Sequence, residues 1–233
     1  METALSTDLV NSALSDINKS QTTFAKDVPK MVKYTLADSA NSERIGMDYQ
    51  IQVVTKDDKV RILNFLRKFF FRDEPLNQSV QLLPEREYTC RELENYSLTS
   101  FENNLNLMAV LPNGALVGVV LNGKMDPPSD EEPHYVATCR NQKFKKILQL
   151  LHYVDRNVNR DDKFRGLDVL EIKIISVDSN WRGKVNQSEI GKEKGFHMRI
   201  YELKYTDYVD EDGNPVFSPA LPHTEIVSYI KRL

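Results

Sequence analysis

The nine residues Phe69-Phe70-Phe71-Arg72-Asp73-Glu74-Pro75-Leu76-Asn77 join two carboxylates to an aromatic run. The preceding residues predict a helix, and carboxylates at its C-terminal end face the negative end of the helix dipole, which raises their proton affinity. Adjacent phenylalanines desolvate a carboxylate further, so the segment suits a general base tuned towards neutrality. The plainer alternative is a solvated acidic turn, because charged side chains usually stay in water. A second segment, Ile175-Ser176-Val177-Asp178-Ser179-Asn180-Trp181-Arg182-Gly183, leaves an apolar strand through a polar turn into Arg-Gly. Backbone N–H groups at such an exit can point at an anion, which is the chemistry of a phosphate-binding loop. Strand exits of this kind also occur where no phosphate binds, so the segment alone decides nothing. A thiol hydrolase built from Cys90 with His134, His152, His197 or His223 lacks any motif context.

Both segments need elements to hold them. From Met47 onward, Tyr49, Ile51 and Val53 alternate with polar neighbours, the period of a half-buried strand. Thr55 and Asp58 have capping-box spacing, and Val60, Leu63, Leu66 and Phe70 then recur at helical intervals up to Pro75. A helix-compatible stretch covers Arg91 to Tyr96. Leu105 to Leu111 and Ala115 to Leu121 read as strands joined through Pro112-Asn113-Gly114, a hairpin signal. Phe144, Ile147, Leu148, Leu151, Val154 and Val158 keep one face of a long amphipathic helix. Val169 to Val177 is almost continuously aliphatic, which predicts a central strand covered on both faces. Strands from His197 to Tyr205 and from Glu225 to Ile230 complete an α/β sandwich, a mixed sheet with flanking helices. Residues 1–46 are rich in small polar side chains without a sustained apolar period, and predict a disordered N-terminal extension to a domain over 47–233.

Composition narrows the function. In 233 residues, 31 basic and 34 acidic side chains are interspersed with a net charge of −3, which leaves no electrostatic footprint for nucleic acid or anionic lipid. No apolar run approaches the roughly 20 residues of a membrane span. Cys90 and Cys139 stand far apart, so neither a disulfide framework nor a thiolate zinc site is expected, and a reducing, cytoplasmic setting fits. No metal and no partner chain are expected, and the chain reads as a monomer without a signal or transit peptide.

Taken together, FFFRDEPLN at 69–77, LNGKM at 121–125, KFKKIL at 143–148, SVDSNWRG at 176–183, KGF at 194–196 and PALPH at 219–223 carry a domain-wide likeness. The chain resembles the GNAT acetyltransferases, and among them the insect arylalkylamine (dopamine) N-acetyltransferases. The resemblance implies a mixed sheet splayed at its middle, with acetyl-CoA lying against the fourth strand of the family fold. It implies N-acetylation of dopamine, tyramine, octopamine or serotonin, with Glu74 as the base that takes a proton from the amine. By the same resemblance, the backbone of Ile175, Ser176 and Val177 pairs with the pantetheine arm and polarises the acetyl carbonyl. Arg182 and Gly183 match the start of the pyrophosphate loop. Asp73, Met125 and His223 fall at amine-pocket positions, with a packing role equally open for His223.

The sequence departs from the family pattern after Gly183. The family continues through small residues into a long helix, a strand and another helix before Gly-Phe. Here only eighteen residues, Asp178 to Gly195, separate Val177 from Phe196, and Lys184, Val185 and Asn186 stand where the loop's small residues belong. A parallel crossover alone needs about a dozen residues, so the segment cannot hold helix, strand and helix. The expectation is a GNAT domain internally shortened near 184–193, lacking the crossover helix and the following strand, as in a spliced or deleted form. Ser188 aligns only loosely with the serine that assists the departing thiol. A catalytically silent variant that binds amines or a partner weakly, or regulates a full-length form, is the alternative to an enzyme.

Overall fold

The computed structural model describes residues 32–34, 49–84, 89–102, 105–125, 129, 131–159, 164, 169–182 and 198–230. Five strands, β1 (Val32–Tyr34), β2 (Tyr49–Val53), β3 (Leu107–Val110), β4 (Leu116–Lys124) and β5 (Leu170–Val177), lie side by side in chain order. A second sheet pairs β6 (Met198–Lys204) with β7 (Glu225–Ile230), and every strand pairing among the described residues is antiparallel. The helices are α1 (Lys59–Phe69), α2 (Pro75–Ser79), α3 (Arg91–Leu98), α4 (His134–Ala137) and α5 (Gln142–Val158). This is the expected α/β class: a sheet in two parts with flanking helices.

Local chemistry accounts for the elements. Asp58 accepts from the Thr55 backbone N–H at 3.0 Å and from its hydroxyl at 2.7 Å, closing the capping turn that leads into α1. Along α1, Ile62, Phe65, Leu66 and Phe69 face the core, whereas Val60, read from periodicity as part of that face, sits in the first turn and is 68% exposed. In α5, Phe144, Ile147, Leu148, Leu150, Val154 and Val158 are buried, each contributing about 1.5–3 kcal/mol relative to exposure. Leu151, expected in that stripe, packs half-buried against the core and also lines two cavities. The β3–β4 hairpin turns at Asn113-Gly114, where the Asn113 side chain accepts from Ala115 N–H at 2.9 Å and Gly114 has φ +83°. Gly114→Ala is therefore expected to cost about 1–2 kcal/mol, read as a fall in the urea midpoint; an unchanged midpoint would show that the turn tolerates a Cβ.

One apolar cluster runs from Ile62, Leu66 and Phe69 through Val119, Leu121 and Ile174 to Leu203, Tyr205 and Phe217. Both sheets thus share a core, and α5 packs against β6 while Tyr153 of α5 meets Tyr208 edge-on at 5.4 Å.

β1, within the residues expected to form the N-terminal extension, pairs with β2 through Val32↔Ile51 and Tyr34↔Tyr49; a three-residue strand is too short to give a period. One expectation is corrected here. β5, expected to be covered on both faces, is fully buried only at Ile174 and Ser176. Among the described residues its one neighbouring strand is β4, and Lys173, Ile174 and Ile175 line a cavity. Its aliphatic run serves a recess on one side as well as a core on the other. Residues 1–31 and 35–48, and the segment from Gly183 to His197 on which the expected internal shortening falls, lie outside the described residues.

Candidate active site

Glu74 owes its position to the residue that follows it. A residue before proline is pushed out of helical conformation, and Glu74 is extended at φ −68°, ψ 126°. Pro75 then opens α2 at the position where a missing N–H costs nothing. Glu74 thereby becomes the N-cap of α2, and its Oε2 accepts from the Asn77 N–H at 2.7 Å. The buried Asn77 side chain donates to the Phe71 carbonyl at 3.3 Å, and Leu76 packs into the core. Each residue of the Glu-Pro-Leu-Asn run has a distinct task in holding one carboxylate.

This corrects the electrostatic reading. Helix α1 ends at Phe69, and Glu74 belongs to the N-terminus of the next helix, where donors favour the charged form. Burial is the larger effect and raises the carboxyl's proton affinity above the ordinary glutamate value; the N–H groups of Asn77 and Leu76 pull it partly back. Phe70 supplies the expected aromatic wall, while Phe71 is buried in the core. The balance suits a base: deprotonated at need, yet avid for a proton.

Asp73 has a different part. The Arg182 guanidinium donates to Asp73 Oδ2 at 2.6 Å, to the Phe69 carbonyl at 2.8 Å and, through Nε, to the Val177 carbonyl at 2.9 Å. Arg182 thus ties the end of α1 and the Asp73-Glu74 turn to the end of β5. Three of its five N–H donors are engaged within the chain. Arg182→Ala is expected to destabilise the fold by about 1–3 kcal/mol in urea unfolding, because charged hydrogen bonds to three sites are lost together. A change within about 0.5 kcal/mol would mean that the clamp contributes nothing.

Glu74 lines one of two cavities that share wall residues. The first, about 220 Å³, is lined by Glu74, Phe70, Tyr96, Phe144, Ile175 and Lys173 among others. The second, about 300 Å³, carries Met125, Tyr135, Glu171, Asp155 and Glu132. Tyr96, Leu151 and Lys173 belong to the walls of both. Burial, with the negative charges of Glu171 and Asp155 and the neighbouring Tyr135 adding to it, pushes the Tyr96 phenol far up, so it stays a donor. Tyr205, buried and facing the charge of Glu74, is pushed up to about 12.

The sequence-predicted residues divide accordingly. Glu74 and Ile175 line the first cavity, and Met125 lines the second. Ser176 is buried with a hydroxyl that has no hydrogen-bond partner among the described residues, and the Val177 carbonyl is taken by Arg182. His223 follows the cis Leu221–Pro222 bond and is not a wall residue of either cavity. Gly183 lies outside the described residues. Cys90 is buried and its thiol pushed up by that burial, with Glu92 and Asn141 as its side-chain hydrogen-bond partners among the described residues; His197 lies outside them. Sequence reasoning missed Tyr96, Tyr205 and Lys173; a single lysine inside the aliphatic run Leu170–Val177 was the readable signal for the last.

No family model matches the chain. Its fold is similar to the crystal structure of arylalkylamine N-acetyltransferase 2 from Aedes aegypti, with TM-score 0.65 and 27% identity over 77% of this chain and 96% of that one. It is similar also to the Drosophila melanogaster polyamine N-acetyltransferase that forms N-acetylagmatine, with TM-score 0.66, 20% identity and coverage of 80% and 100%. The C-terminal condensation domain of Ebony, solved with β-alanyl-dopamine, aligns at TM-score 0.57, 13% identity and coverage of 80% and 100%. The chain shares a GNAT-like α/β fold with these structures.

Proposed function

We propose, from this shared fold and the chemistry of the recess, that the chain acetylates the primary amine of an arylalkylamine such as dopamine, tyramine, octopamine or serotonin. The observation that carries the proposal is Glu74: a carboxylate of raised proton affinity, fixed by an N-cap bond, on the wall of a cavity beside β5. Acetyl-CoA supplies the acetyl group as a thioester. Its arm fits along β5, whose outward backbone groups have no strand neighbour and whose Ser176 hydroxyl has no hydrogen-bond partner among the described residues. Glu74 takes a proton from the bound ammonium, directly or through water, and so frees the nitrogen lone pair for attack. Tyr96, held protonated, and the apolar walls of Phe70 and Phe144 orient the amine's tail and exclude water. Incubation with acetyl-CoA and a panel of arylalkylamines, followed by mass analysis, tests the reading: an N-acetyl product is expected, and its absence from every amine would contradict it.

A second reading has one specific support. Arg182 is engaged by Asp73, Phe69 and Val177, and the residues after Gly183 are too few for the family's full pyrophosphate site. On this reading the chain is a catalytically silent form that keeps the amine recess. Calorimetry separates the two, since micromolar acetyl-CoA binding favours the enzyme and none at millimolar ligand favours the silent form.

A further inference from the structure

Lys173 stands between the two cavities. The β4–β5 ladder pairs Leu121 with Ile174 and then Asn122 with Ile172, so Lys173 is the extra residue of a β-bulge. Bulges re-aim side chains, and here the lysine is turned across the sheet onto Gly123. A Cβ built on Gly123 would meet Lys173 Cε at 2.4 Å, so the glycine of the LNGKM motif leaves the space through which the lysine stem passes. The ammonium ends 4.0 Å from Glu171 Oε2 and 5.9 Å from the centre of the Tyr96 ring. A carboxylate and an aromatic face are the two groups that a second cation on a substrate tail would use. The chain's own ammonium is already there. In the first cavity Lys173 and Glu74 are the only charged wall residues among those described.

We infer that Lys173 is a specificity-determining residue: its ammonium takes the place of a second substrate cation and so restricts the amine site to monocationic amines, excluding diamines. Like charges at close range in a partly desolvated recess repel, while Glu171 stays neutralised from within. The inference rests on the recess being the amine site of the proposed function.

The test compares 2-phenylethylamine with 1,4-diaminobutane on the whole chain, reading both acetyl transfer and binding by calorimetry. Wild type is expected to prefer the monoamine. Lys173→Met should raise the diamine-to-monoamine ratio by roughly ten- to hundredfold, because the ammonium is gone while Glu171 remains. Lys173→Arg, which keeps the charge, should retain the wild-type ratio. Should Lys173→Met fail to fold, Gly123→Ala displaces the flexible end of the lysine and should shift the ratio in the same direction. An unchanged ratio with turnover intact would overturn the inference alone, as would an equal rise in Lys173→Arg. A shifted binding ratio without turnover would support it while removing the acetyltransferase reading, and no amine binding to either protein would overturn both.

Discussion

Glu74→Gln is expected to lower amine turnover by about 10²–10⁴-fold, most severely below the amine's own pKa, because the amide cannot accept the ammonium proton. Its side-chain carbonyl can still accept from the Asn77 N–H, so the cap of α2 survives. Stability should move the other way. The folded carboxyl binds its proton more tightly than the unfolded one, so Glu74's favourable contribution is present in acid and is lost as pH rises through its raised pKa. Above that pKa the wild type keeps a buried charge that the variant lacks. Urea unfolding at about pH 4 and about pH 8 should therefore find Glu74→Gln similar to wild type in acid and more stable in base. A variant that loses activity and also loses stability at high pH would point to a structural role for the carboxylate. An unchanged pH–rate profile would remove it as the base.

Acetyl-CoA is expected to bind far more weakly to this chain than to a family member with a full-length pyrophosphate loop. The expectation follows from chain length: eighteen residues between Val177 and Phe196 are few for a crossover helix and a strand, and such a helix would supply donors and a favourable dipole. Arg182, just beyond the end of β5, is already shared among Asp73, Phe69 and Val177. Each lost charge-assisted bond removes roughly 1.5–3 kcal/mol, so two or three together weaken binding by about 3–9 kcal/mol, a factor of hundreds or more. Side-by-side titration of this chain and such a relative checks the difference. Comparable dissociation constants would show that other groups grip the phosphates.

The scaffold was largely legible because its elements have periods. Strand β2 alternates, β5 is a nearly continuous aliphatic run, the long helix α5 shows a 3.6-residue stripe, and Asn113-Gly114 announces the β3–β4 hairpin. Glu74 stood out as a candidate base through the residue types of FFFRDEPLN, yet its electrostatics were not legible. Periodicity does not say that α1 stops at Phe69, and only the chain's path makes Glu74 the cap of a new helix. Arg182 shows the same limit in reverse. Its place beside Asp73 spans 109 residues of sequence, and no local pattern encodes such a contact. Lys173 needed the register of β5 against β4, because a bulge shifts which face a residue meets without leaving a mark in composition. Short β1 lacked the length to show any period at all.

The most direct test of the central claim is release of free thiol from acetyl-CoA by the purified chain, followed with and without an arylalkylamine, in wild type and Glu74→Gln. Amine-dependent release that Glu74→Gln abolishes at near-neutral pH is the predicted result. Release that ignores the amine, or none from wild type even at acetyl-CoA concentrations high enough to offset weak binding, would contradict it.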